Sequence, residues 1–484
     1  MTGRALLARA LALALLLTAA WTAWSFHAVR GRDASFALLL GLALGILLQR
    51  SRLCFAAAFR DLFLARERRS AVALLAALAV GSVGYQAVFG AQVPDPSRGF
   101  VPPNAFIARV AWHTLLGGAC FGFGMVIAGG CVSGQLWRLG EGALAAAVAL
   151  VGVVAGQVAA LAAWNALWIG VVAEAPAVWL PKKFGYAGAL ALQLGGLALL
   201  AWLLLRFVPT TEGRGSLNAA APAAADPSGE LNRLLQRVFV ERWPAALSGA
   251  ALGVLATVAF FRGTPLGVTA ELARAARALG TALDLLPERL EGIDLMGGCR
   301  PPEDVDGLSN PGLFVAALVG GALVAALLAG EFRLRLGRPR ALLLGLLGGL
   351  FTGFGGFIAS GCTIGTLLSG TMAHSLHGPL FAGGLLLGVL PAIFVLRRTA
   401  PRARVADSRL DLRGESCGMP TARLEEFLAA HDPRAPFAIA VDDDLTLELL
   451  TGVACRSGWR PRPTDVARGE PGRHAEFDPP LQSP

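Results

Sequence analysis

Along the chain, apolar residues run in long uninterrupted blocks broken by clusters of arginine, glycine and proline, with little short-period alternation before residue 404. Blocks long enough to cross a hydrocarbon core of roughly 30 Å as helices lie near 10–29, 34–49, 70–91, 107–128, 143–164, 185–207, 243–262, 308–330, 341–360 and 377–396. Of these, 34–49 is the shortest. The pattern predicts a polytopic α-helical membrane protein. Arg4 and Arg9 ahead of the first block also suit a signal peptide. That run is longer than an ordinary signal core and no Ala-x-Ala site follows, so residues 1–33 are expected to keep an extra transmembrane helix.

Composition agrees with the pattern: of 484 residues, 55% are hydrophobic and only 15% charged, and 60 are glycine. The mean hydropathy of +0.59 excludes a water-soluble domain of this length. A net charge of +9 would suit nucleic acid, but the arginines sit in short loops and form no basic face, so nucleic-acid binding is not expected. Those arginines predict orientation. Arg50, Arg52, Arg60, Arg66, Arg68 and Arg69 crowd one loop, Arg333, Arg335, Arg338 and Arg340 another, and Arg397, Arg398, Arg402 and Arg404 follow the last block. All three belong in the cytoplasm by the positive-inside rule. Residues 284–306 carry seven acids against Arg289 and Arg300, which suits the outside.

Two blocks repeat each other. "GGACFGFGMVIAGGCVSGQL" at 117–136 laid on "GGLFTGFGGFIASGCTIGTL" at 348–367 gives eleven identities in twenty and pairs Cys131 with Cys362. Chance in so glycine-rich a chain gives about two. By the charge-derived orientation the two copies run in opposite senses, so the repeat is expected to be inverted. Four spans would form each half, with 185–207 connecting them and the substrate site at mid-membrane where the halves meet.

The shared Gly-Cys-x-x-Gly core is suited to a broken helix. Gly130, Gly134, Gly361 and Gly365 permit close helix approach and turn backbone N–H groups toward a ligand, which is tolerated at membrane depth only where protein or a cavity covers it. Cys131 and Cys362 are therefore expected on turns lining a path. Cys54, in "RSRLCFAAAFRDLF", opens an amphipathic segment that reads as another half-helix, and its counterpart near Pro265 lacks cysteine. A lone membrane cysteine is ordinarily a small hydrophobe, but two at equivalent repeat positions argue for function. Metal transport would want His, Met or carboxylate companions, and His113, His374 and His377 stand at no ligand spacing from a cysteine. No metal or other cofactor is expected. A soft sulfur-bearing anion suits neutral S–H donors and half-helix N-termini better.

"RSRLCFAAAFRD", "GFGMVIAGGCVSG" and "GFGGFIASGCTIG" together resemble the motifs of the YeeE/YedE family of membrane proteins, which includes thiosulfate importers, over about residues 34–398. The resemblance implies that Cys54, Cys131 and Cys362 line the path and pass thiosulfate along by S–H hydrogen bonds. The extra first helix and a linker at 209–242 depart from the compact family pattern.

After Arg404 hydropathy falls, and "LDLRGESCGMPTARLEEFLAAH" reads as a strand, a tight turn holding Cys417, and a helix, followed by the strand "FAIAVDDD", a second helix and a weaker third strand. This predicts a small α/β sandwich over 405–463. It resembles the TusA-like (SirA-like) sulfur carriers, in which a Cys-Pro-x-Pro cysteine holds a persulfide. Here the motif is "CGMP", with Gly418 in place of the first proline. A thiol at a helix N-terminus is favoured as thiolate, which supports the same role for Cys417. Cys455 is expected in that domain's core, and 464–484, rich in Pro, Arg, Gly and acids, is expected to be disordered. Cys299 in the outer loop is a candidate entrance contact.

The expected function is uptake across a bacterial inner membrane of thiosulfate or a related sulfur anion, delivered to a fused cytoplasmic carrier and, through it, to a cytoplasmic sulfurtransferase. The alternatives are a membrane-anchored sulfurtransferase, and a transporter of sulfite, a persulfide or a selenium species.

Overall fold

The computed structural model describes residues 3–63, 68–98, 100–101, 104–208, 243–296, 309–337, 339–399 and, between 409 and 479, four strands with parts of the segments joining them. The helices of eight or more residues before residue 209 are α1 (Gly3–Val29), α2 (Arg32–Ser51), α3 (Phe55–Phe63), α4 (Arg69–Gln92), α5 (Trp112–Ile127), α6 (Val132–Gly140), α7 (Leu144–Ala162) and α8 (Leu180–Phe207). Those after residue 242 are α9 (Ala245–Phe261), α10 (Thr269–Ala282), α11 (Asn310–Leu328), α12 (Pro339–Ile358), a π-helix at Thr363–Gly370, and α13 (His377–Thr399). Among the described residues nine helical stretches are long and apolar enough to cross a membrane, and α9, at 17 residues, is a shorter apolar tenth. The protein is a polytopic α-helical membrane protein. The shortest block, 34–49, is a full helix, α2, whose stretch continues through a break into α3.

The halves pack by exchange. α2 lies chiefly against α11 and α4 against α9, so the first helix of each half packs on the second helix of the other. α5 pairs with α13 and α12 with α7, again as mirror choices, while α5 and α12 cross each other at the centre. The central crossing repeats itself down to single glycines. A Cβ on Gly117 would sit 2.7 Å from the Gly355 carbonyl oxygen, and one on Gly348 would sit 2.6 Å from that of Gly124. In the repeat alignment Gly117 matches Gly348 and Gly355 matches Gly124, so these are the same contact made twice. No side chain fits either place, which is why the two backbones meet.

The two ends of the bundle differ chemically. At one end, Trp164 Nε1 donates to the Glu291 carbonyl at 2.9 Å and Asn165 Nδ2 to that of Arg289 at 2.7 Å, docking the acidic stretch beside the C-terminus of α7. At the other, the Arg333 N–H donates to the Glu141 carbonyl and the Leu144 N–H to that of Arg335, at the N-terminus of α7. The acidic stretch and the Arg333–Arg335 loop therefore lie at opposite ends of a 19-residue helix.

The C-terminal strands are β1 (Arg409–Asp411), β2 (Phe437–Val441), β3 (Arg460–Arg462) and β4 (Arg473–Asp478), in the order β1-β2-β4-β3. β1 and β2 are parallel, and β4 is antiparallel to both β2 and β3. Leu424, Phe427, Leu450 and Val453 are buried with Ile439, Phe437 and Phe477, the apolar core of a small α/β unit. β4 corrects the expectation of a disordered tail at 464–484. Ala475 and Phe477 are buried two residues apart, so the strand's alternation decides its fate over its charged composition. Cys417 and its turn fall outside the described residues, as do Cys299 and the linker 209–242.

Candidate functional site

The chain breaks at three cysteines, and each break has the same form. α5 ends at Ile127, Gly129 takes a left-handed φ of 75°, and Cys131 in extended conformation caps the N-terminus of α6. α12 ends at Ile358, Ser360 takes φ 57° at the place equivalent to Gly129, and Cys362, again extended, caps the π-helix. α2 ends at Ser51, Arg52 takes φ 53°, and Cys54 precedes α3. The carbonyls of Cys54, Cys131 and Cys362 accept the first helical bonds, from Ala58 at 3.0 Å, Gln135 at 2.9 Å and Thr366 at 2.7 Å. A left-handed residue reverses the chain, and the cysteine then starts a half-helix with its unsatisfied N–H groups and partial positive charge beside the thiol. The fourth half-helix, α10, is preceded by the fully buried Val268, so the second half lacks a match for Cys54.

All three thiols are buried, Cys131 and Cys362 completely. Cys54 and Cys131 lie side by side at the starts of their half-helices. Both sulfurs lie 3.6 Å from where a Cβ on Gly134 would stand, so Gly134 keeps the space beside the pair open. Cys131 Sγ is also 3.3 Å from Ser133 Oγ, and the Thr363 side chain adjoins it. Thr363 follows Cys362, whose own sulfur accepts from the Gly365 N–H at 3.5 Å. The first half thus supplies two adjoining thiols, and the second half joins them through the neighbour of its own cysteine. Gly130 and Gly361 lie within the turns themselves.

Several residues of the site escape reading from sequence. Gln135 Nε2 donates to the Ala128 carbonyl at 2.9 Å, and Arg138 Nη1 to that of Gly129 at 2.9 Å, so α6 pins the carbonyls of the turn that precedes it. A Gln and an Arg one and two turns after Cys131, in an otherwise apolar stretch, are the signal that marks them. Toward the Arg333 end lies a charged cluster. Arg50 and Arg60, read from the sequence as part of one arginine-rich loop, lie instead in α2 and α3; both are buried, and Arg50 has no exposed side-chain surface. Glu141, which ends α6, is buried as well. Arg50 pairs with Glu331 at 2.6 Å and Arg52 with Glu141 at 2.9 Å. Buried charges at membrane depth are costly and persist when mutually paired.

Toward the opposite end a cavity of about 520 Å³ opens between the loop after α9 and the start of α11, lined by Asn104, Phe106, Pro265, Asp294, Met296 and Phe314, among others. The described residues thus place a cavity toward the acidic end and paired buried charges toward the arginine end, with the buried thiols at half-helix N-termini.

Over 381 residues the chain is 26% identical to the thiosulfate transporter TsuA of Escherichia coli strain K12, covering 76% of this chain and 96% of that protein. Over 374 residues it is 28% identical to TsuA of Spirochaeta thermophila, covering 75% and 98%. Residues 50–390 match the family described as sulphur transport, a span that takes in all three cysteine breaks and both central helices. The chain belongs to the sulphur-transport family, YeeE/YedE.

Proposed function

We propose that the protein carries thiosulfate, or a closely related sulfur dianion, across the bacterial inner membrane along a path set by Cys54, Cys131 and Cys362. The observation that carries this reading is the adjoining Cys54–Cys131 pair, buried where half-helices begin and met from the second half by Thr363. A divalent anion gains from the N-terminal dipoles and from weak S–H donors, and releases easily because no single contact is strong. The names of the two relatives support the substrate. In this reading Gly130, Gly134, Gly361 and Gly365 shape the path, Cys299 lies at the entrance, and the halves 34–208 and 243–398 are inverted repeats, with 1–33 an added helix. The reciprocal helix pairing and the doubled Gly117–Gly355 contact favour that inversion. Uptake of radiolabelled thiosulfate by cells expressing the protein, with sulfite, sulfate and selenite as competitors, tests the substrate. Thiosulfate is expected to compete best, and equal uptake without the protein would remove the proposal.

Thr363→Val keeps the side chain's volume and removes its hydroxyl. Uptake should fall several-fold at unchanged membrane level, because the link between the halves is lost while the thiols remain. Unchanged uptake would make Thr363 a bystander.

The 331–340 loop and residues 405–484 face the cytoplasm in this proposal, and 284–306 faces out. A cysteine introduced near Arg338 should then react with an impermeant reagent only in inside-out vesicles; labelling in intact cells would reverse the topology.

Residues 405–463 are proposed as a TusA-like carrier that receives the sulfur and serves a cytoplasmic sulfurtransferase. Their strands β1, β2 and β3, joined by β4 from beyond residue 463, form a small α/β sheet consistent with such a unit. Cys417 should gain one sulfur on incubation with a persulfide donor, detectable by mass spectrometry. An unmodified Cys417 would mean that Gly418 has cost the motif its reactivity.

A further inference from the structure

The charged cluster at the arginine end adjoins the Cys54 turn, and its geometry is that of an anion site already filled. A single carboxylate oxygen, Oε2 of Glu331, accepts from Gln49 Nε2 at 2.8 Å and Arg50 Nη2 at 2.6 Å, with Arg52 Nη2 at 3.4 Å. The second carboxylate, Glu141, accepts from Gln49 at 2.9 Å through Oε1 and from Arg52 at 2.9 Å through Oε2. Two guanidinium groups and one amide thus converge on a pair of carboxylates in the manner they would adopt for one tetrahedral oxyanion with several acceptor oxygens.

Three features place this cluster on the way out of the thiol site. Arg52 is two residues from Cys54, in the break between α2 and α3, and holds a left-handed backbone that a non-glycine residue seldom adopts. Its guanidinium lies 5.2 Å from the ring centre of Trp137, on the same half-helix that Cys131 begins and Glu141 ends. Glu331 comes from the other half, just after α11, and is the more accessible carboxylate, 22% exposed against 3% for Glu141. At the opposite end the corresponding place, after α9, holds Arg262 in an exposed pair with Asp33 at 3.4 Å, beside the open cavity.

We infer that Gln49, Arg50 and Arg52 form a release site for the transported oxyanion, which Glu331 occupies and closes when no anion is present. This rests on the transport proposal above. An anion arriving from Cys54 displaces the Glu331 carboxylate from the two arginines; Glu331 swings toward water, and its return expels the anion and reseals the end. Because Glu331 and the donors belong to different halves, the exchange also parts the halves at that end. No bond is made or broken, and charge on the two arginines is balanced throughout by one anion or the other.

The test reads access to Cys54 rather than flux. Full-length protein in inside-out vesicles is treated at the arginine end with methanethiosulfonate ethylsulfonate, an impermeant anionic thiol reagent, and the Cys54 adduct is followed by mass spectrometry. Glu331→Gln should speed labelling about tenfold or more over wild type, and added thiosulfate should slow it again by occupying the freed arginines. The double variant Arg52→Gln/Glu331→Gln leaves Arg50 and Glu141 balanced, so it guards against misfolding from an unpaired charge. It should label as fast, with most of the thiosulfate protection gone. Unchanged labelling in both variants would overturn the seal, and equal protection in both would overturn the binding site. Failure of wild-type protein to take up thiosulfate would instead count against the transport proposal, a separate result.

Discussion

Cys131→Ala and Cys362→Ala are each expected to abolish more than about nine-tenths of thiosulfate uptake while the protein still inserts at its normal level. Cys131 is the hub: its sulfur lies 3.3 Å from Ser133 Oγ and beside Cys54 and Thr363, so its loss removes every one of these contacts at once. Each is a weak contact of about 1 kcal/mol or less, and a methyl group in place of a thiol leaves only a small void, so stability changes little. Transport, in contrast, loses the thiol that stands between Cys54 and the second half. Cys362 caps the only π-helical half-helix of the second half among the described residues, and its sulfur is held by the Gly365 N–H. Membrane levels measured by blot separate the two effects. Full uptake by either variant would return that cysteine to the role of a buried small hydrophobe.

Gly348→Leu should yield no monodisperse protein. The first side-chain carbon alone would stand 2.6 Å from the Gly124 carbonyl, and a leucine adds three more between α5 and α12 at the centre of the bundle. The obstacle is backbone on a packed helix, which cannot turn aside as a flexible side chain would, and overpacking of this kind costs about 3 kcal/mol or more. Gly320→Leu on α11 provides the comparison, since nothing lies within 4 Å of its added Cβ. Gel filtration in detergent after expression of each variant reads the outcome. A well-behaved Gly348→Leu protein would mean that the α5–α12 crossing is looser than described.

Much of this was legible in the sequence because membrane helices announce themselves by length and apolarity alone, and because the repeat copies a contact surface as well as a motif. Gly117, Gly124, Gly348 and Gly355 recur in both copies since each pair makes the other's contact. The cysteine breaks were legible for a similar reason, as only a glycine-rich interruption explains such residues at membrane depth. What escaped was set by three-dimensional convergence. Nothing local distinguishes Arg50, which is buried, from the exposed Arg398; the difference lies in Glu331, 281 residues away. The Cys54–Cys131 pairing was equally hidden, since the alignment pairs Cys131 with Cys362 and symmetry pulls attention to that couple. Thr363 has Val132 as its repeat partner, so an asymmetric contact left no trace in the repeat. The strand β4 was masked by composition, its two buried positions outnumbered by Pro, Arg and acidic neighbours.

The central claim is that the buried thiols carry a sulfur anion through the bilayer, and purified protein in liposomes tests it most directly. With unlabelled thiosulfate inside and a trace of radiolabelled thiosulfate outside, wild-type protein should concentrate the label in the lumen and Cys131→Ala should not, at equal protein content. Accumulation of label by both proteins alike, or by neither, would contradict the account.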